Sequence, residues 1–200
     1  MSDLFDALSP WESRREDRIY GVVAAVVTNN QDPDGVGRVK VKFPWMSENN
    51  ESWWARVAMP MTGSAMGVYF LPEVGDEVLV AFEQGDANVP YVVGSLWTGQ
   101  AKPPVANDDG KNAIRVITSR SGHVVRLDDT DGAEKVEVID KTTKNSIVID
   151  SAANTVTIKA DADVTIESAT GKLVLKGTGV EITSQADVKI TASGNAELTA

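Results

Sequence analysis

The chain has 200 residues with no cysteine and one histidine, and its 19 basic and 29 acidic side chains give a net charge of −10. The absence of cysteine excludes disulfides and thiolate chemistry, and a single histidine excludes a His-rich metal site. The negative charge disfavours binding to nucleic acid and to anionic lipid surfaces. We therefore expect no enzymatic activity, cofactor, metal ion, small-molecule substrate or nucleic-acid partner.

The sequence also bears on where the protein is made. No run reaches the roughly 18 apolar residues of a membrane helix. The first residues lack the basic-then-apolar order of a signal peptide. We expect synthesis in the cytoplasm without export by that route.

Aromatic residues stop abruptly along the chain. All 12 aromatic residues, 8 prolines and 5 methionines lie before residue 105. Because an ordinary globular core takes much of its buried area from aromatic side chains, the remainder must pack on a different plan. We predict an N-terminal arm over residues 1–17, one domain over 18–104 and a second over 105–200, joined by the Pro- and Gly-rich segment 99–111.

The N-terminal arm carries one apolar stripe, formed by Leu4, Phe5, Leu8 and Trp11. A short helix or an adaptable segment would present these side chains together. The stripe fits either a frayed terminus or a docking segment for another protein. We favour docking, since exposed apolar stripes usually have a partner.

The first domain has the pattern of a small all-β barrel, with short apolar runs between turn residues and no sustained helical period. Val39, Val41 and Phe43 alternate with basic residues, which predicts an apolar side facing inward and a basic side in water. Val78, Val80 and Phe82 repeat this alternation. The predicted strands are 19–28, 37–43, 53–59, 68–71 with 77–82, and 91–96, and residues 32–35 and 83–86 are predicted hairpin turns.

The second domain is a repeat of short strands, each with an apolar-x-apolar core and a polar turn. The repeat units are Val136-x-Val138, Ile147-x-Ile149, Val156-x-Ile158, Val164-x-Ile166, Leu173-x-Leu175, Val180-x-Ile182, Val188-x-Ile190 and Ala196-x-Leu198. Ile114-x-Val116 and Val125-x-Leu127 are predicted to begin the same series.

Such units cannot bury themselves, so stacking must complete the core. A single-chain solenoid would have fewer than about three coils, close to the minimum for stability. Three intertwined chains forming a β-helical prism complete every layer and remove the sheet edges, so we favour a homotrimer. The predicted trimer core is Val156, Ile158, Val164, Ile166, Leu173, Leu175, Val180, Ile182, Val188 and Ile190.

Residues 20–97 contain the segments DPDGVGRVKVKFPWM, SWWARVAMPMTG, GVYFLPEVGDEVLVAFEQGD and VPYVVGSLW. These closely resemble the oligonucleotide/oligosaccharide-binding (OB) barrel of the central spike proteins of contractile injection systems. That family includes phage baseplate assembly protein V and the VgrG spikes of type VI secretion. The stretch RVITSRSGHVVRLDDTDGAEKVEV is similar to the entry into the family's β-helix.

The resemblance implies a structural, trimeric spike in the baseplate of a phage tail or tail-like injection particle, with transient contact to the target envelope. Only about 18 residues precede the barrel, which implies a separate hub protein, expected to contact Leu4, Phe5, Leu8 and Trp11. No lysozyme-like insert and no terminal His-x-His motif are present. A PAAR-type tip protein is therefore expected on Asn195, Ala196, Glu197, Leu198, Thr199 and Ala200.

Four other motifs suggest chemistry, and each is interpreted as structural. His123 lies near Ser121 and Asp128, but residues so close along one strand cannot easily form a triad. The loop 128–132 lacks the ligand spacing of a calcium site and is predicted to be a turn. Trp53-Trp54 could stack on a sugar or base but is expected to pack in a core or interface. Gly35-x-Gly37 lacks the third glycine of a dinucleotide loop.

An alternative to the spike is a trimeric fibre or adhesin whose OB barrel binds a surface glycan. Copurification with tube, hub and sheath proteins would favour the spike. Glycan binding by the isolated protein would favour the adhesin.

Overall fold

The structure is a computed structural model that describes residues 18–45 and 51–197. The chain divides into two compact units, Met1–Asn112 and Ala113–Ala200, which are described separately below. Within residues 18–45 and 51–197, no helix is long and apolar enough to cross a membrane.

A curved five-stranded sheet forms the first unit, together with a small two-stranded hairpin. The strands are β1 (Val22–Asn29), β2 (Lys40–Lys42), β3 (Arg56–Val57), β4 (Thr62–Gly63), β5 (Met66–Gly67), β6 (Glu77–Phe82) and β7 (Pro90–Ser95). The order in the main sheet is β2-β1-β6-β7-β3, and only the pairing of β3 with β7 is parallel among the described strands. Strands β4 and β5 form the hairpin.

The two edges of the main sheet meet, so the sheet curls back on itself as a barrel. Val39 and Ala55 exchange backbone hydrogen bonds of 3.0 and 2.7 Å, which link the edge containing β2 to the edge containing β3. Ten buried side chains fill the interior: Ala25, Val27, Val39, Val41, Phe43, Ala55, Val78, Val80, Phe82 and Val92. The alternation along the sequence therefore identified the inward-facing side of β2 and β6, and the all-β prediction is confirmed.

The structure differs from the sequence prediction in three details of the barrel. Strand β1 begins at Val22, after Gly21, whose φ of +91° interrupts the extended backbone. No strand is assigned within 68–71; the nearby pairing is the β4–β5 hairpin. Arg38 and Lys40 are partly buried rather than free in water, because both lie over the indole of Trp54, 5.8 and 5.5 Å from its centroid.

The turn at 32–35 is organised by one carboxylate. The Asp32 side chain is 3% exposed and accepts hydrogen bonds from the backbone N–H groups of Asp34, Val36 and Arg38 at 3.1 Å. The Arg38 guanidinium donates to both carboxylate oxygens, at 3.0 and 2.7 Å, and its side-chain hydrogen bonds hold the pKa of Asp32 well below the usual range. Asp32 thereby fixes the path from β1 to β2.

Replacing Asp32 by alanine should destabilise the barrel, because three backbone N–H groups and the guanidinium lose their acceptor at once. We expect Asp32→Ala to lower the thermal unfolding midpoint by several degrees, measured by circular dichroism. Asp34→Ala is the matched control, since the Asp34 side chain is 68% exposed and bonds only the guanidinium of Arg38. Equal effects of the two substitutions would contradict this role for Asp32.

Five antiparallel strands form the second unit, each paired with the next along the chain. They are β8 (Ile114–Thr118), β9 (Val124–Asp128), β10 (Lys135–Ile139), β11 (Ser146–Asp150) and β12 (Thr155–Lys159). The repeat units at 125–127, 136–138, 147–149 and 156–158 are thus strands, as predicted. Each of these pairs within its own chain, as a meander.

The segment 160–197 has no strand in the single chain, and its large apolar side chains are exposed. It contains the remaining repeat units of the predicted prism. The intertwined β-helix therefore stays a prediction for this segment.

The register of β8 corrects one sequence prediction. Ile114 pairs with Asp128 and Val116 with Arg126, whereas Ile117 pairs with Val125. Because side chains alternate between the two faces of a strand, Ile114-x-Val116 lies on the face opposite Val125-x-Leu127 and does not begin the same apolar series.

Candidate assembly surface

One face of the β8–β12 sheet is almost entirely apolar. Two cross-strand rows form this surface, here called the apolar face. The first row is Ile117–Val125–Val138–Ile147–Ile158, and the second is Arg115–Leu127–Val136–Ile149–Val156. Nine of the ten side chains are apolar, and the one charged member, Arg115, lies on edge strand β8 and pairs with Asp129 at 3.0 Å.

The apolar face is left largely uncovered by the chain itself. Ile147 and Ile149, on an inner strand, are 45% and 44% exposed, and Ile158 on the edge is 60% exposed. The first row lines a groove of about 420 Å³, which ends at polar residues including His123 and Asp140. Monomeric proteins rarely expose contiguous apolar surface of this kind, so the face has the character of an interface.

The opposite face carries an ion pair in place of an apolar row. Glu137 is 7% exposed, and its carboxylate accepts hydrogen bonds from the Arg126 guanidinium across the β9–β10 pairing. The side chain of Arg126 remains about one third exposed. The two faces of the sheet are therefore chemically distinct.

The β10–β11 turn also holds the chain where it leaves the sheet. The Asn145 side-chain oxygen accepts a 3.0 Å hydrogen bond from the backbone N–H of Asp161, just beyond β12. Lys144 forms a 2.5 Å ion pair with the Asp161 carboxylate. These two contacts, here called the exit clamp, fix the start of the segment 160–197.

Asp140 shapes the turn that carries the exit clamp. Its carboxylate accepts hydrogen bonds of 2.9 and 2.7 Å from the Thr142 hydroxyl and one of 3.1 Å from the Asn145 backbone N–H. The Thr142 hydroxyl, with the Asn145 backbone in support, lowers the pKa of Asp140 to about 2 from its ordinary value of 3.8. The ionised carboxylate is therefore the form that stabilises this turn.

Acid should loosen this turn. A folded-state pKa below the unfolded value means that the contribution of Asp140 to stability is complete above about pH 4 and is lost as the pH falls towards 2. We expect the thermal midpoint of the protein to fall over that window by more than the midpoint of Asp140→Asn, which has no carboxylate to protonate there. If the thermal midpoints of the two proteins fell equally with pH, the ionised Asp140 carboxylate would not be what stabilises the turn.

The predicted site residues fall into three groups. Val156 and Ile158 lie on β12 and belong to the apolar face. The other predicted core residues are exposed and outside strands, namely Val164, Ile166, Leu173, Leu175, Val180, Ile182, Val188 and Ile190. Asn195, Ala196 and Glu197 are likewise exposed and outside strands, whereas Leu198, Thr199 and Ala200, with Leu4, Phe5, Leu8 and Trp11, lie outside the described residues.

The motifs interpreted as structural are also located. His123 accepts a 3.2 Å hydrogen bond at Nδ1 from the backbone N–H of Lys141, so it joins two turns of the meander. The segment 128–132 is a turn in which Asp128 accepts a 3.0 Å bond from the Thr130 N–H. Among the described residues, no cluster of three histidine or acidic side chains could hold a metal ion.

Trp53 and Trp54 have different environments. The indole N–H of Trp53 donates to Asn88 at 3.0 Å, but the side chain is 67% exposed. Trp54 is partly buried under Arg38 and Lys40. Neither residue belongs to the buried core of the barrel, so the expectation of core packing is not met by the single chain.

Sequence reasoning missed the Arg126–Glu137 pair and the exit clamp. Both join residues 11 or more positions apart, so neither can be recognised before the strand register is known. Once the register of a hairpin is known, opposite charges at facing positions of its two strands would indicate such an ion pair.

The described chain is therefore an all-β protein, with a closed barrel of OB-like strand order and a separate antiparallel sheet that has one uncovered apolar face. Residues 23–97 match the family described as the type VI secretion system/phage-baseplate injector OB domain. Residues 23–97 therefore belong to that domain family.

Relatives extend the similarity beyond the barrel. The type VI secretion system spike protein VgrG3 of Vibrio cholerae serotype O1 is 30% identical over 82% of this chain and 17% of its own length. The spike proteins VgrG1a and VgrG5 of Pseudomonas aeruginosa are 28% and 32% identical, each over 60% of this chain and over 20% and 17% of their own lengths. The chain thus spans a fifth or less of these curated relatives, and the resemblance to the spike family of contractile injection systems is confirmed.

Proposed function

We propose that the protein is the homotrimeric central spike of a contractile injection system, which is driven through a target envelope when the sheath contracts. The observation that carries the proposal is the apolar face of β8–β12, which the chain does not cover. It is followed by a segment of apolar-x-apolar repeats that is also exposed in the single chain. Three chains would complete both cores at once. The relatives' description as spike proteins supports the same role.

The proposed role is mechanical and not enzymatic, with no cofactor or small-molecule substrate. The N-terminal arm, through Leu4, Phe5, Leu8 and Trp11, is the proposed contact to a hub. Residues Asn195, Ala196, Glu197, Leu198, Thr199 and Ala200 are the proposed contact to a PAAR-type tip protein. The assembled spike would sit in the baseplate and touch the target envelope only briefly.

Two measurements test the proposal. Light scattering should give a mass three times the chain's 21.4 kDa, and the trimer should resist detergent because every layer must open before the chains separate. In the host, the protein should copurify with tube, hub and sheath components. A monomer in dilute buffer would refute the trimer, and a trimer that never associates with a baseplate would refute the spike.

The exposed Trp53 favours one alternative, a trimeric fibre or adhesin whose barrel binds a surface glycan. An exposed indole can stack on a sugar ring. Specific binding of the trimer to a glycan array, abolished by Trp53→Ala, would support the adhesin over the spike. The similarity to injector spikes makes this the second candidate.

A further inference from the structure

The barrel has an aromatic pocket at the end where the described chain begins. Phe82, Phe43 and Trp45 form a continuous wall, with ring centroids 5.6 and 5.5 Å apart. Trp53 forms the other side and is oriented by its hydrogen bond to Asn88. Trp45 and Trp53 are 56% and 67% exposed, so the rim of the pocket remains largely open in the described structure.

The size of the aromatic pocket suits one ring. Its volume is about 150 Å³. The lining also includes the polar residues Glu51 and Ser52. A cavity of roughly this volume is large enough for one benzene-sized ring, which corresponds to the six-membered ring of an indole. Tilted and edge-to-face contacts with the surrounding rings would favour an aromatic guest over an aliphatic one.

The chain enters the barrel beside the aromatic pocket. Ile19 lines the pocket, and its backbone N–H donates to the carbonyl of Gly85 at 2.9 Å. The Arg18 guanidinium donates to the carbonyl of Gln84 at 2.8 Å. Both carbonyls belong to the β6–β7 turn, which also supplies Ala87 and Asn88 to the pocket lining. Residues before Arg18 therefore start from the edge of the pocket.

We propose that the aromatic pocket is a docking site for the N-terminal arm of the same chain, with the six-membered ring of the Trp11 indole as the inserted group. Six residues lie between Trp11 and Arg18, and the seven steps from one Cα to the other span up to about 24 Å when extended, enough to turn back onto the pocket. A tether this short gives an effective concentration on the order of millimolar, so a weak aromatic contact suffices. Docking would cover Trp45 and Trp53 and the apolar stripe of the arm together.

Docking of the arm goes beyond the proposed function and does not depend on it, whereas its displacement by a hub rests on the proposed function. The arm cannot contact a hub and fill its own pocket through the same side chains. The free protein would keep the arm on the barrel, and a hub would have to displace it. Such a latch protects an apolar docking segment until its partner is present.

Disulfide trapping tests the latch cleanly, because the full chain contains no cysteine. The double variant Ser13→Cys/Ala87→Cys places one thiol two residues from Trp11 and the other on the lining of the pocket. Ala87 is exposed and small, so cysteine is accommodated there. The matched control adds Trp11→Ser to the same pair, which keeps the tether and removes the indole.

With Trp11 present and oxidised glutathione added as the oxidant, we expect rapid formation of a disulfide within one chain. It is identified by peptide mass and by migration as a single chain in denaturing, non-reducing electrophoresis. In the Trp11→Ser control, trapping should slow to the rate of random tethered collisions. Equal trapping rates in the two proteins would overturn the proposal. Disulfides joining two chains would overturn the assignment of the pocket to the chain's own arm.

Discussion

Replacing Ile158 by aspartate should strongly weaken assembly while leaving the single chain folded. Ile158 is 60% exposed on edge strand β12, so its own chain tolerates a charge there. In a trimer that buries the apolar face, three carboxylates would enter one layer. At about 3 kcal/mol for each uncompensated charge, each carboxylate costs roughly a hundredfold in the association constant. The measurement is the temperature at which trimers dissociate in detergent.

Thr157→Asp is the matched control for that substitution. Thr157 is the adjacent residue of β12 and lies in the row with Val148 and Glu137, on the opposite face of the sheet. It is also exposed in the single chain, so both variants carry the same new charge at nearly the same place. Comparable dissociation temperatures for the two variants would show that the apolar face is not the interface.

The second large effect is expected at the buried ion pair. Glu137→Leu leaves the Arg126 guanidinium without its carboxylate. Breaking a fully buried pair costs about 3–5 kcal/mol, and because a third of the Arg126 side chain reaches water we expect about 2–3 kcal/mol here. The measurement is the free energy of unfolding in urea at a fixed protein concentration, since any linked association would otherwise shift the midpoint.

The double variant Arg126→Leu/Glu137→Leu separates the lost pairing from the lost charge. Replacing both partners of such a pair with apolar residues is often neutral or stabilising, so the double variant should recover most of the stability lost in Glu137→Leu. If the double variant were as unstable as the single one, the cost would come from packing around Glu137 and not from an unpaired Arg126.

The sequence predicts the barrel well where apolar and polar residues alternate. Val39, Val41, Val78 and Val80 lie in a small closed sheet, and in such a sheet only one face can be buried, so alternation and burial coincide. The sequence predicts less well which charged side chains form specific contacts with nearby groups. Neither the carboxylate of Asp32 nor the cations over Trp54 can be assigned from alternation, because their partners depend on how the turns fold.

The second unit shows a different limit. From Val125 to Ile147 the apolar cores recur every 11 residues and then after 9, and these strands pair within the chain. From Val156 onward the spacing averages close to 8, and the described segment 160–197 has no strand. The longer spacings leave connections of six, six and four residues between these five-residue strands. A spacing of about 8 would leave about three residues, which is still enough for a short hairpin loop. The change of spacing coincides with the end of the described strands, but the spacing by itself does not predict that end.

The exit clamp bears on strand register. A slip of one residue between β11 and β12 would turn Val156 and Ile158 onto the wrong face, and hydrophobic patterning excludes it. A slip of two residues would keep every apolar side chain on the correct face, so patterning alone cannot reject it. The contacts of Asn145 and Lys144 to Asp161 exist in only one of these alignments. They therefore distinguish otherwise equivalent pairings, and they do so at β12, the last strand of the described residues, from which the chain continues into the segment 160–197.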